Sequence, residues 1–82
     1  MEGINLSTIT LDKLPLYSSC KIISLNCSGS LQRRLLDLGL VQNTSITSIL
    51  RSPFGDPTAY DVRGSILALR EEDAKLIIVN IE

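Results

Sequence analysis

The run Thr58-Ala59-Tyr60-Asp61-Val62-Arg63-Gly64-Ser65-Ile66-Leu67-Ala68-Leu69 reads as two short strands folded back on one another. Successive side chains of an extended chain point to opposite faces, so Tyr60 and Val62 share one side and Ala59 and Asp61 the other. Arg63-Gly64 supplies a tight turn, with the glycine taking the positive φ that such turns demand. Residues 65–69 are apolar on both faces, the pattern of a buried strand.

The same alternation extends outward in both directions. Upstream, Ser52-Pro53-Phe54-Gly55-Asp56-Pro57 is a loop by composition. Before it, residues 44–51 carry Ile46, Ile49 and Leu50, an imperfect alternation that predicts a strand with a bulge. Downstream, residues 71–75 suffice for one helical turn, with acids at its start where the helix dipole favours them. Ile77, Val79 and Ile81 then alternate as a last strand. Nearer the start, residues 20–27 predict a strand with Ile23, Leu25 and Cys27 on one face and Ser24 and Asn26 on the other. Residues 8–15 hold Ile9, Leu11 and Leu14, and Pro15 restricts them to a short edge strand and a turn.

One segment has the helical period. Leu31, Leu35 and Leu38 recur at i, i+4 and i+7 over residues 30–38, which predicts a helix with these leucines as its core face. Arg33 and Leu36 lie off that face. Ser28 or Ser30 can cap the start by accepting from a free backbone N–H. Gly39 follows as the left-handed stop. The expected fold class is therefore mainly β: a small barrel of five to six short strands, one two-turn helix and a short helical turn, forming one domain over residues 1–82.

Composition narrows the function. The chain has 82 residues, 44% of them hydrophobic, and a net charge of −1, so it has the apolar content to fold. It lacks the basic excess that phosphate binding requires, and with one Phe, two Tyr and no Trp it offers little surface for stacking bases. Nucleic acid is not an expected partner. Histidine is absent, which removes the commonest general base and the commonest metal ligand. Glu71, Glu72 and Asp73 are consecutive and diverge on a helix, and Asp56 reads as a turn residue bonded to nearby backbone. Cys20 and Cys27 on one straight strand would stand roughly 23 Å apart, too far for a disulfide. No catalytic residue, cofactor or metal site is expected, and no enzyme activity. No apolar run approaches the ~18–20 residues of a membrane span, and residues 1–7 lack the pattern of a secretory signal. A cytoplasmic location is the expectation.

Several runs together carry a family likeness: Leu35-Leu36-Asp37-Leu38-Gly39-Leu40, Ser52-Pro53-Phe54-Gly55-Asp56-Pro57, Val62-Arg63-Gly64, Leu67-Ala68-Leu69-Arg70, and Ala74. In this order and spacing they resemble the FeoA family, small cytoplasmic proteins of bacterial ferrous iron transport. The resemblance implies an SH3-like β-barrel and an accessory role for the membrane transporter FeoB, whose cytoplasmic side carries a GTP-binding domain. A sensor or carrier that binds Fe²⁺ itself, and an SH3-like module for proline-rich peptides, are the competing functions. The absence of His argues against the first and the few aromatics against the second. A homo-oligomer is left open. The chain departs from the family pattern at Asn43, where Gly is usual and Asn should substitute well. It departs again near Tyr17, where a bulky side chain should resist a left-handed turn.

The expected partner-binding surface joins Phe54, Gly55, Asp56 and Pro57 of the loop to Arg33 and Leu36 on the outer helix face. An aromatic on a loop stiffened by prolines loses little entropy when a partner orders it. An off-core leucine beside basic residues is a common interface mixture. The competing reading of Phe54 is a plug folded over the barrel end.

Overall fold

The computed structural model describes residues 8–81; residues 1–7, read above for a secretory signal, lie outside them. The described chain forms six strands and two α-helices: β1 (Thr8–Thr10), β2 (Ser19–Leu25), α1 (Gly29–Asp37), β3 (Ser45–Arg51), β4 (Thr58–Val62), β5 (Ser65–Leu69), α2 (Glu71–Ala74) and β6 (Ile77–Ile81), with a 3-10 turn at Leu11–Lys13. All six strands belong to one antiparallel sheet in the order β1-β6-β2-β3-β4-β5.

Alternation does what the sequence predicts along β4 and β6. Thr58, Tyr60 and Val62 are buried on one face of β4, and Ile77 and Val79 are fully buried on β6. They share one core with Leu11, Leu14, Cys20, Ile22, Leu35 and Leu40. The Arg63-Gly64 turn has positive φ at both positions, 56° and 88°, and Asp61 Oδ1 accepts from the Gly64 N–H at 2.9 Å. The expected bulge in β3 is present as a register shift between Ser48 and Leu50. Bulges add an unpaired residue and sharpen twist, which helps so short a chain curl around its core.

Five local expectations are corrected. First, β2 carries a second bulge: pairing with β6 steps from Ile22 to Ser24, skipping Ile23. The slip moves Cys20 and Ile22 to the buried face, and Ile23 does not join the core. Second, Leu38 is 46% exposed. The helix ends at Asp37 in a Schellman arrangement, with the Gly39 N–H donating to Leu36 O and the Leu40 N–H to Leu35 O, each at 3.0 Å. Gly39, at φ +94°, turns the chain so that Leu40 fills the core place in front of Leu35. Third, Ser28 stands at the N-cap of α1 and makes no side-chain capping bond. Fourth, β5 is an edge strand, not a buried one, and Ile66 is 62% exposed. Fifth, Tyr17 does adopt the left-handed conformation, at φ 71°, as Asn43 does at 71°. The Tyr17 N–H donates to Ser48 O at 2.6 Å, so the turn is held by the sheet against the preference of its side chain.

Cys20 is buried and Cys27 half-buried, and no disulfide joins them; the Cys20 thiol donates to Ile46 O at 3.6 Å. No described helix is long and apolar enough to cross a membrane.

Candidate partner-binding site

The 52–57 loop is a closed structure with an aromatic tip. Its neck is fastened by the Ser52 N–H donating to Pro57 O at 3.2 Å. Inside it, the Gly55 N–H donates to Ser52 O at 2.8 Å, closing a β-turn with Pro53 and Phe54 as its central residues. Proline presets the φ of the first central position, and Gly55 takes φ +84° to leave the turn. Phe54 is thereby held at the apex, 96% exposed. It is not a plug over the barrel end.

Asp56 has a different duty from the one read in the sequence. Its Oδ1 accepts from the backbone N–H of Glu71 at 2.8 Å, fifteen residues on. Glu71 opens α2, whose own N-cap residue, Arg70, provides no side-chain bond. The loop thus satisfies one orphan donor of the helix, and its carboxylate sits where the helix dipole favours negative charge. A local turn was the natural inference from Gly-Asp-Pro. The actual partner is distant in sequence, and nothing in the spacing signals it.

The predicted helix face is also open. Leu36 is 44% exposed, and with Arg33, Gln32 and Asp37 it lines a shallow depression of about 540 Å³ on α1. Phe54 and Gly55 border another, of about 300 Å³, together with Asp12, Arg51, Tyr60 and Glu71. The two depressions share no lining residue, so loop and helix do not form one pocket. They are joined through α2. A third hollow between α1 and α2 is lined by Ser30, Arg34, Glu72 and Asp73, and Ser30 also borders the first. Arg34 meets Asp73 there at 3.4 Å, an exposed pair that positions more than it stabilises. Loop, α2 and α1 therefore make one band across the molecule.

The polar floor beside Phe54 was not anticipated. Tyr60 is buried and its hydroxyl bonds Thr58; burial pushes its phenol above the ordinary range, partly countered by that bond and by Arg51. Arg51 also donates to Leu14 O at 3.3 Å, tying β3 to the turn after the 3-10 segment. Asp12 lies on that 3-10 turn, which is joined to the hollow only by folding. Among the described residues no group of three or more His, Cys, Asp or Glu side chains is placed to hold a metal ion.

The FeoA domain model matches residues 9–81. Among solved structures, the chain is similar to a FeoA-like protein from Clostridium acetobutylicum at 33% identity and a TM-score of 0.83, covering 92% of this chain and 87% of that one. It is similar to the FeoA protein of Chlorobium tepidum at 30% identity and a TM-score of 0.84, covering 89% and 70% of the two chains. The zinc complex of Stenotrophomonas maltophilia FeoA matches at 30% identity and a TM-score of 0.79 over 88% and 89%. That protein is described as an SH3 domain protein and a candidate activating factor of bacterial ferrous iron transport. Among curated proteins none matches the chain. The sheet described above is thus the SH3-like fold of these FeoA structures.

Proposed function

The chain belongs to the FeoA family, a family of accessory proteins in ferrous iron transport, and from that premise we propose that it acts by docking on the cytoplasmic, GTP-binding part of a FeoB-type transporter. The observation that carries this reading is the presentation of Phe54: a large aromatic, 96% exposed, on a loop fastened at its neck and anchored to α2. Such a side chain gains a great deal from entering a partner's pocket and loses little freedom in doing so. Gly55, Asp56 and Pro57 set the shape of the loop. Arg33 and Leu36 extend the contact along α1, giving an apolar anchor at each end of the band with charge between them. This composition, a few apolar anchors in a polar surround, suits a reversible contact better than a permanent one.

The activating role described for the S. maltophilia relative fits the same picture, in which the adaptor changes the transporter and performs no chemistry itself. The test is capture of full-length FeoB from the same cell on immobilised protein. Phe54→Ala and Leu36→Asp should each lower FeoB capture by about tenfold or more, the usual scale of an interface anchor. Capture at the wild-type level by both folded variants would move the docking surface elsewhere. The next candidate would then be the β1 edge, where a partner strand could add to the sheet.

A further inference from the structure

The sheet ends on β5, and this edge has none of the usual protections against pairing. Ser65-Ile66-Leu67-Ala68-Leu69 contains no charge, no proline and no bulge, and its register with β4 is unbroken from Val62↔Ser65 to Thr58↔Leu69. Natural edge strands are commonly short, charged or kinked to prevent association. The opposite edge, β1, meets that rule with only three residues. An unbroken, uncharged edge of five residues, four of them apolar, does not.

The direction of its hydrogen bonds follows from the hairpin. The two-residue turn closes on Val62↔Ser65, and in such a hairpin the closing pair exchanges both backbone bonds. Bonded pairs then alternate, so Ser65, Leu67 and Leu69 face β4 while Ile66 and Ala68 direct N–H and C=O outward. Among the described residues no loop or helix backbone takes these groups.

We propose that this edge pairs antiparallel with β5 of a second copy of the chain, about a two-fold axis at Leu67. In that register Ile66 lies opposite Ala68 of the second copy, and both belong to the outward-bonding set, so the parity of the hydrogen bonds is satisfied. The side chains agree with it. On the outer face, β3, β4 and β5 already align Leu50, Ala59 and Ala68 in one row. Leu50 is 63% exposed and Ile66 is 62% exposed. The two alanines form a trough walled on one side by Leu50, and Ile66 of the second copy supplies the other wall. The two-fold axis generates this row twice. It also brings the turn carrying Arg63 alongside the end carrying Arg70, Glu71 and Glu72 of the second copy, a positive turn against a net negative helix start. A foreign strand could satisfy the backbone, but this edge matches itself in register, side-chain size and charge.

Sedimentation equilibrium on the full chain should give a dimer mass that rises with concentration. Ile66→Lys places a charge in the trough and should return the monomer mass with an unchanged melting temperature. Ala68→Pro should do the same, because its lost N–H points away from β4. Leu67 opposes itself across the axis in a non-bonded pair, where Cα atoms approach to about 4.5 Å, within disulfide reach. Oxidised Leu67→Cys should therefore cross-link to a covalent dimer. A wild-type chain that stays monomeric up to roughly 1 mM, a dimer that survives Ile66→Lys, or a Leu67→Cys dimer that fails to cross-link each overturns the proposal. If the 65–69 amides gain exchange protection only when a foreign protein is added, the edge belongs to that protein and not to a second copy.

Discussion

Leu35 and Leu38 lie on the same side of an ideal helix, yet one is wholly buried and the other nearly half exposed. The difference is made by the chain reversal at Gly39, which brings Leu40 into the core in place of Leu38. Leu35→Ala should therefore cost about 2–5 kcal/mol, the range for a buried leucine. Leu38→Ala should stay within about 0.5 kcal/mol, as exposed positions do. Urea unfolding of the two variants side by side checks the assignment, and equal losses would refute it. Tyr60 gives a second residue-level expectation. Its phenol is raised by burial, so the folded state favours the protonated form more than the unfolded state does. Stability from this group is complete below the unfolded value of about 10 and is lost as pH rises through the higher folded value. Thermal melts should thus show an alkaline loss above about pH 10 that Tyr60→Phe reduces. A profile unchanged by the substitution would mean that other groups govern that limb.

Among the elements, the β4–β5 hairpin, the β3 bulge, the β6 alternation and the α2 turn were legible in the sequence, because each depends on neighbours a few positions away. What escaped reading depends on distant ones. The β2 bulge at Ile23 exists to keep pairing with β6, and the edge position of β5 is a property of the whole strand order. The apolar residues of β5 suggested burial because a sequence does not tell an apolar edge from an apolar interior. In the candidate site, the loop, its aromatic tip and the outer helix face were visible from composition and period. The tie from Asp56 to Glu71 was not. That tie yields an element-level prediction. Asp56→Ala removes a cap from α2 and should cost about 0.5–2 kcal/mol. It should also speed amide exchange at Glu71 and loosen the loop, weakening FeoB capture while Phe54 remains in place. Asp56→Asn retains an accepting oxygen and should recover most of both effects. If Asp56→Ala leaves the Glu71 amide as protected as before, the bond does not govern the helix start.

Across the whole molecule, the proposed docking band and the core use different residues. Phe54, Leu36 and Arg33 are not part of the buried cluster that Leu35, Ile46, Ile77 and Val79 help to form. Phe54→Ala and Leu36→Asp should accordingly change unfolding free energy by no more than about 0.5 kcal/mol, and a larger loss would return those residues to a structural role. The strand order carries a further consequence, in the time of synthesis. β6 lies between β1 and β2 and pairs with both, although of the six described strands it is the last to be synthesised. Until it emerges, β1 has no neighbour in the sheet and β2 is paired only along β3. The β3-β4-β5 meander, by contrast, is complete by Leu69. A nascent chain held on the ribosome by a linker long enough to fill the exit tunnel, so that residue 75 has just emerged, should therefore protect the meander amides weakly and leave residues 8–10 freely exchanging, with full protection arriving in one step once residue 81 is clear. Were residues 8–10 protected in the stalled chain, β1 would have found another partner during translation, and the sheet would be assembled by a different route.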